Sequence, residues 1–224
     1  MEQLVDVRSD TKSPRDSLER VRALQPLIAR HAAEAEERGA IAPPVFDALR
    51  DAGLFRITVA RRTGGEGASM RTFVETVAEI AKTCPGTAWA YGLLTGTTGM
   101  VASLPEKQRK LLFKRGDELS CFVGLKGGVA IRSGEGYLVT GQWPYASGSL
   151  HADWAWCGVI VRDERGEQVD SGQVFLDLSR DEVDIIMDWN VAGMSASGSN
   201  RVKAEDHFVP AALFISDKEL MNMA

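Results

Sequence analysis

The sequence predicts an α+β fold, an N-terminal all-α part followed by an antiparallel β-sandwich or barrel. Two observations predict it. Apolar residues recur at helical spacing through the first half. From Gly116 onward, glycine-punctuated runs about ten residues apart replace that period, the pattern of short antiparallel strands. The change of character near residue 116 divides the chain into domains at 1–115 and 116–224.

The first helix starts at Ser13-Pro14-Arg15-Asp16, with Ser13 as N-cap, proline in the first turn and an acid three residues after the cap. Val21, Leu24, Ile28, Ala32 and Ala35 carry its apolar stripe, Pro26 should kink or restart it, and Gly39 stops it. Pro43-Pro44 opens a second helix that Gly53 closes. The Gly64-Gly65-Glu66-Gly67 loop lacks the lysine and helix spacing of a phosphate-binding loop, so it reads as a turn. Ser69 caps a third helix with Phe73, Val77 and Ile80 on one face. Thr87 to Ala102, nearly uncharged and rich in small residues, should be a buried helix, closely approached by its neighbours. A capping pattern from Ser103 to Glu106 starts a helix through Phe113. Strands are expected over 120–124, 137–143, 154–162, 173–178 and 202–209.

Composition narrows the function classes. With 44% hydrophobic and 25% charged residues the chain is globular, neither disordered nor collagen-like. A net charge of -5 without a dense basic cluster excludes a nucleic-acid backbone as partner. No apolar run reaches membrane length and the N-terminus lacks a signal-peptide core, so the cytoplasm is the expected compartment. Cys84, Cys121 and Cys157 are too dispersed for a disulfide framework or a metal site and read as buried thiols. The histidines, His31, His151 and His207, are equally scattered, so no metal is expected.

Several segments carry a resemblance. Asp47 to Phe55 followed by Gly64-Gly65-Glu66, then Trp143-Pro144-Tyr145-Ala146-Ser147-Gly148 with Ala152-Asp153-Trp154, then Asp188 to Met194 through Gly198-Ser199-Asn200 and Phe208-Val209-Pro210, recur in that order. As an ordered series they resemble the first two domains of the acyl-CoA dehydrogenase superfamily over roughly residues 18 to 215. The resemblance is closest to its two-component flavin-dependent monooxygenases, the aromatic hydroxylases. The dehydrogenase branch fits less well, because its glycine-serine-aspartate stretch is missing where Gly124 to Gly128 runs into Val129.

The resemblance implies reduced flavin, FMN or FAD, supplied by a separate flavin reductase. It also implies a small, aromatic substrate and a homo-oligomer. A flavin ring needs an apolar wall and donors at its polar edge. Trp143 would pack near the ring, Ser147 and Gly148 would bond its edge, Trp89 would stand close by, and Ser197 and Ser199 would add amides and hydroxyls. As plain structure, the same segments are a strand end with a core tryptophan and a polar loop. Two departures limit the transfer of roles: Thr97 stands where aromatic hydroxylases of this branch often carry a histidine, and Ser195 where relatives commonly have an arginine. A hydroxyl cannot act as a base near neutral pH, so the catalytic base is unassigned. His151 reads as a turn residue and His207 has no role. The resemblance further implies a C-terminal helical bundle that would begin near Leu220. Two other readings therefore stand beside the first: an acyl-CoA dehydrogenase-like FAD oxidoreductase, and a catalytically silent subunit or fragment.

Overall fold

The computed structural model describes residues 14–223, so the expected Ser13 cap lies outside the described residues. Five helices come first: α1 (Pro14–Arg38), α2 (Pro43–Asp51), α3 (Met70–Ala81), α4 (Pro85–Val101) and α5 (Glu106–Leu112). Seven strands follow: β1 (Ser120–Ser133), β2 (Gly136–Ala146), β3 (Trp154–Arg162), β4 (Gln168–Asp177), β5 (Val183–Ile186), β6 (Asn200–Pro210) and β7 (Phe214–Ser216), before a short α6 (Asp217–Met223).

Local chemistry accounts for most helix boundaries. The Ser69 hydroxyl accepts the Thr72 N–H at 3.1 Å and caps α3. Gly39 and Gly53 take left-handed φ values of 63° and 70° just after α1 and α2. Two expectations are corrected. The helix α1 does not restart at Pro26 but runs through it; Pro26 lies on the exposed side, where water can satisfy the carbonyl that loses its donor. Ser103 does not cap α5: its hydroxyl donates back to the Gly99 carbonyl at 3.0 Å, and Pro105 precedes the helix without a side-chain cap.

The strands form one sheet in the order β5-β6-β2-β1-β3-β4-β7. The helix-then-sheet order agrees with the sequence, but the sheet is mixed rather than wholly antiparallel, because β1 and β3 pair in parallel. The reason is topological. The chain goes out along β1 and back along β2, then rounds the start of β1 through residues 147–153 to begin β3 on its other side. Parallel neighbours that are not consecutive in sequence need no long crossover.

Trp143 locks this arrangement. Fully buried, its indole lies across β1 at Gly127 and Gly128, where an added Cβ on Gly128 would overlap the ring, and its Nε1–H donates to the Gly158 carbonyl of β3 at 2.7 Å. The helical layer joins the sheet at residues 113–119. There the buried Glu118 carboxylate accepts the N–H groups of Lys114, Arg115 and Gly116 at 2.8, 2.6 and 2.9 Å. Trp154 donates to the Leu112 carbonyl at 3.0 Å. One apolar core, including Ile28, Leu49, Tyr91, Val139 and Phe175, runs through helices and strands alike. The three cysteines are buried and unpaired, and burial pushes the Cys121 thiol up to about 12, so it is inert.

Candidate functional site

A cavity of about 510 Å³ opens where the start of α4, the end of β2 and the loop before β6 converge. Its walls are Trp89 and Leu93 from α4, Tyr145 from β2, and Trp189, Val191 and Met194 from the loop. Its polar floor is three serines, Ser147, Ser197 and Ser199. Among its lining residues only Tyr145 is titratable; none carries a carboxylate, imidazole or amine.

Each wall has a local cause. Pro85 begins α4, whose first turns leave Trp89 half exposed at the cavity. Tyr145 occupies a bulge: the pairing of β2 with β6 shifts between Trp143 and Ala146, and Tyr145 has φ 65°. Alternation along β2 sends Tyr137, Val139 and Trp143 into the core and would send Tyr145 after them. The bulge breaks that phase, buries Ala146 instead and turns the phenol outward. There it meets Trp189 edge-on, ring centroids 6.1 Å apart. The loop is tied by the Trp189 N–H to Asn200 Oδ1 at 3.3 Å and by the Ser195 hydroxyl to the Val191 carbonyl at 3.4 Å.

The floor is a line of hydroxyls. The Trp89 Nε1–H donates to Ser147 Oγ at 3.0 Å, Ser147 and Ser199 lie 2.7 Å apart, and Ser199 and Ser197 2.9 Å apart. Three hydroxyls carry three protons and two links use two of them, so one O–H is left over for a further acceptor. Gly148, left-handed at φ 75°, donates its N–H to the Ser197 carbonyl at 3.0 Å; an added Cβ would approach Leu94 of α4 to 2.9 Å.

Of the residues the sequence singled out, Trp89, Ser147, Ser197 and Ser199 share this cavity; Gly148 does not line it, and its N–H, expected to bond a flavin edge, is taken up by the Ser197 carbonyl. Trp143 does not line it; the expectation that it packs near a bound ring gives way to its role within the sheet. Thr97 is buried in α4 and is also not a lining residue. His151 is not among the lining residues either. It stacks on Phe46 with ring centroids 4.4 Å apart, and burial together with the charges of Arg50 and Arg38 pulls its pKa down to about 4. His207 is buried, 3.9 Å from Glu182, in a separate cavity bounded by Trp154, Phe175 and Phe208. The Gly64-Gly65 loop is a turn whose Glu66 pairs with Arg20 of α1 at 2.6 Å. Sequence reasoning passed over Leu93, Tyr145, Trp189, Val191 and Met194 as site residues. All of these but Leu93 lay inside the segments that carried the resemblance, and that was their available signal.

The arrangement suits a flat, largely apolar ring with a polar edge. Two indoles and a phenol offer faces, and the serine line offers hydrogen bonds at one border. No group of three or more His, Cys, Asp or Glu residues is disposed for a metal among the described residues, and no described helix is long and apolar enough to cross a membrane.

Comparison with known proteins bears on the fold. Residues 14–114 match the family model "Acyl-CoA dehydrogenase, N-terminal domain". The chain is 30% identical over 193 residues to the oxygenase component of an FADH(2)-dependent resorcinol hydroxylase from Rhizobium, covering 85% of this chain and 46% of that protein. It is 28% identical over 196 residues to a pigment production hydroxylase from Rhodococcus erythropolis, covering 86% of this chain and 50% of the relative. Among solved structures, XiaF from Streptomyces in complex with FADH2 and glycerol superposes with a TM-score of 0.88 at 28% identity, over 96% of this chain and 54% of that one. The chain spans about half the length of the curated relatives it matches.

Proposed function

We propose that this chain, which carries the acyl-CoA dehydrogenase N-terminal domain and the fold of flavin-dependent monooxygenase oxygenase components, is the flavin-binding unit of such an oxygenase. Its substrate is a small aromatic molecule. A separate flavin reductase delivers reduced flavin, and the working form is a homo-oligomer. The observation that carries this reading is the cavity itself, in which Trp89 and Trp189 flank a floor made by Ser147, Ser199 and Ser197. The relatives named as oxygenase components and the neighbour holding FADH2 support it.

Trp89, Leu93 and Met194 would cover the faces of a flavin ring, and the free hydroxyl of the serine line would donate to an acceptor at its edge. When bound, reduced flavin supplies the electrons that activate oxygen for transfer to the substrate. The chain's own part is to bind, orient and exclude water, because Trp89, Leu93, Val191 and Met194 present carbon surfaces with few polar atoms. Tyr145 is the one lining side chain with an ionisable proton, so proton transfer to or from a phenolic substrate falls to it or to groups outside these residues.

Anaerobic titration with reduced FMN and with FADH2, read by tryptophan fluorescence, tests the reading. Saturable quenching by one of them is expected, weakened about tenfold or more by Trp89→Ala, a fold-change equivalent to about 1.4 kcal/mol. No binding of either would overturn it. Bleaching of protein-bound oxidised FAD by an acyl-CoA without oxygen would favour a dehydrogenase instead.

A further inference from the structure

We infer that Glu36, on the last turn of α1, is a positioning residue for this cavity. It rests on the flavin reading only for the identity of the ligand it serves. Its carboxylate accepts the Ser195 N–H at 2.8 Å and the Ala196 N–H at 3.3 Å, across 159 and 160 residues of sequence. These amides open the short 3-10 turn Ser195–Ser197, which begins from Met194 at φ 61° and ends at Gly198 at φ 52°. A left-handed methionine is a costly conformation that persists only when its surroundings hold it. The carboxylate is that hold: it takes up two N–H groups that the turn itself leaves without acceptors.

Oε1, the oxygen that accepts the Ala196 N–H, also faces a second part of the site. An added Cβ on Gly86 would stand 2.6 Å from Glu36 Oε1 and 2.8 Å from the Ala196 side chain. Gly86 lies in the first turn of α4, three residues before Trp89. The end of α1, the start of α4 and the serine turn therefore meet at one point. Glu36 is not among the cavity's lining residues, yet it fixes the distance between the indole of Trp89 and the hydroxyls of Ser197 and Ser199. Two contacts close to the cavity depend on that distance: the 3.0 Å bond from Trp89 to Ser147 and the 2.7 Å contact from Ser147 to Ser199.

The test uses the whole chain with Glu36→Ala, Glu36→Gln and, as a control on the same helix, the exposed Glu37→Gln. Two readouts are taken: hydrogen exchange at the Ser195 and Ala196 amides, and the Kd for reduced FMN. Glu36→Ala should speed exchange at both amides and raise the Kd, each by about tenfold or more, the scale of losing a charged acceptor. Glu36→Gln keeps one acceptor oxygen and should fall between wild type and Glu36→Ala, while Glu37→Gln should match wild type. Should Glu36→Ala not fold, Glu36→Gln carries the comparison. Unchanged amide exchange in a folded Glu36 variant overturns the inference. So does a raised Kd accompanied by equal loss of protection throughout the chain. If wild type binds no reduced flavin, the functional reading fails and the exchange measurement still decides the role of Glu36.

Discussion

Tyr145 holds a left-handed backbone that costs a bulky residue about 1 kcal/mol or more. What that strain achieves is the outward turn of the ring, from core to cavity. Tyr145→Asn, which tolerates the conformation, should leave stability unchanged or raise it by up to about 1 kcal/mol in urea denaturation, while weakening the binding of a planar ring. Loss of stability and binding together would make the tyrosine a structural residue. His151 gives a prediction in pH. Its folded pKa near 4 lies below the ordinary 6.5, so the unfolded chain takes the proton first. The stability this residue contributes is present above pH 6.5 and is lost as pH falls toward 4; His151→Phe should flatten that part of the stability profile measured by urea midpoints. At this scale the sequence exposed Trp89 and the serines because they lie in recognisable segments. It concealed Tyr145 and misplaced Trp143 for one reason: period-two alternation puts both on the core face, and only a bulge separates them.

At the scale of elements, the seam between α5 and β1 depends on one side chain. Burial alone would raise the Glu118 carboxyl, but the surrounding backbone N–H donors and Arg115 outweigh it and hold the group below its ordinary value near 4.5. Its contribution is therefore complete above that pH and is lost as pH falls through the lowered value. Glu118→Ala should cost about 2 to 3 kcal/mol at pH 7, because three donors lose a charged acceptor, and chemical denaturation monitored by circular dichroism measures it. Gly128→Ala should also destabilise by about 1 to 3 kcal/mol, since its methyl group overlaps the Trp143 ring. The helices were legible because caps, prolines and glycines act within a turn or two. The edge strands β5 and β7, of 4 and 3 residues, are too short to show a period, and the parallel pairing of β1 with β3 is set by strand order, which no local pattern encodes.

For the molecule as a whole, the cavity belongs to neither layer alone. A ligand seated there binds the folded state only, so saturation at a hundred times Kd should stabilise by about 2.7 kcal/mol and raise Tm by several degrees in a thermal melt. An unchanged Tm with reduced FMN at that excess would mean that it does not bind the folded chain. The site also has a kinetic consequence, set by how far apart its parts lie along the chain. Trp89 meets Ser147 across 58 residues, Ser147 meets Ser199 across 52, and Glu36 reaches Ser195 across 159. Each closure loses chain entropy before it returns any contact energy, so such long-range pairings are slow. During refolding from urea, helical circular dichroism should therefore recover first and ligand capture last, leaving a lag in which the chain has its secondary structure but no competent cavity.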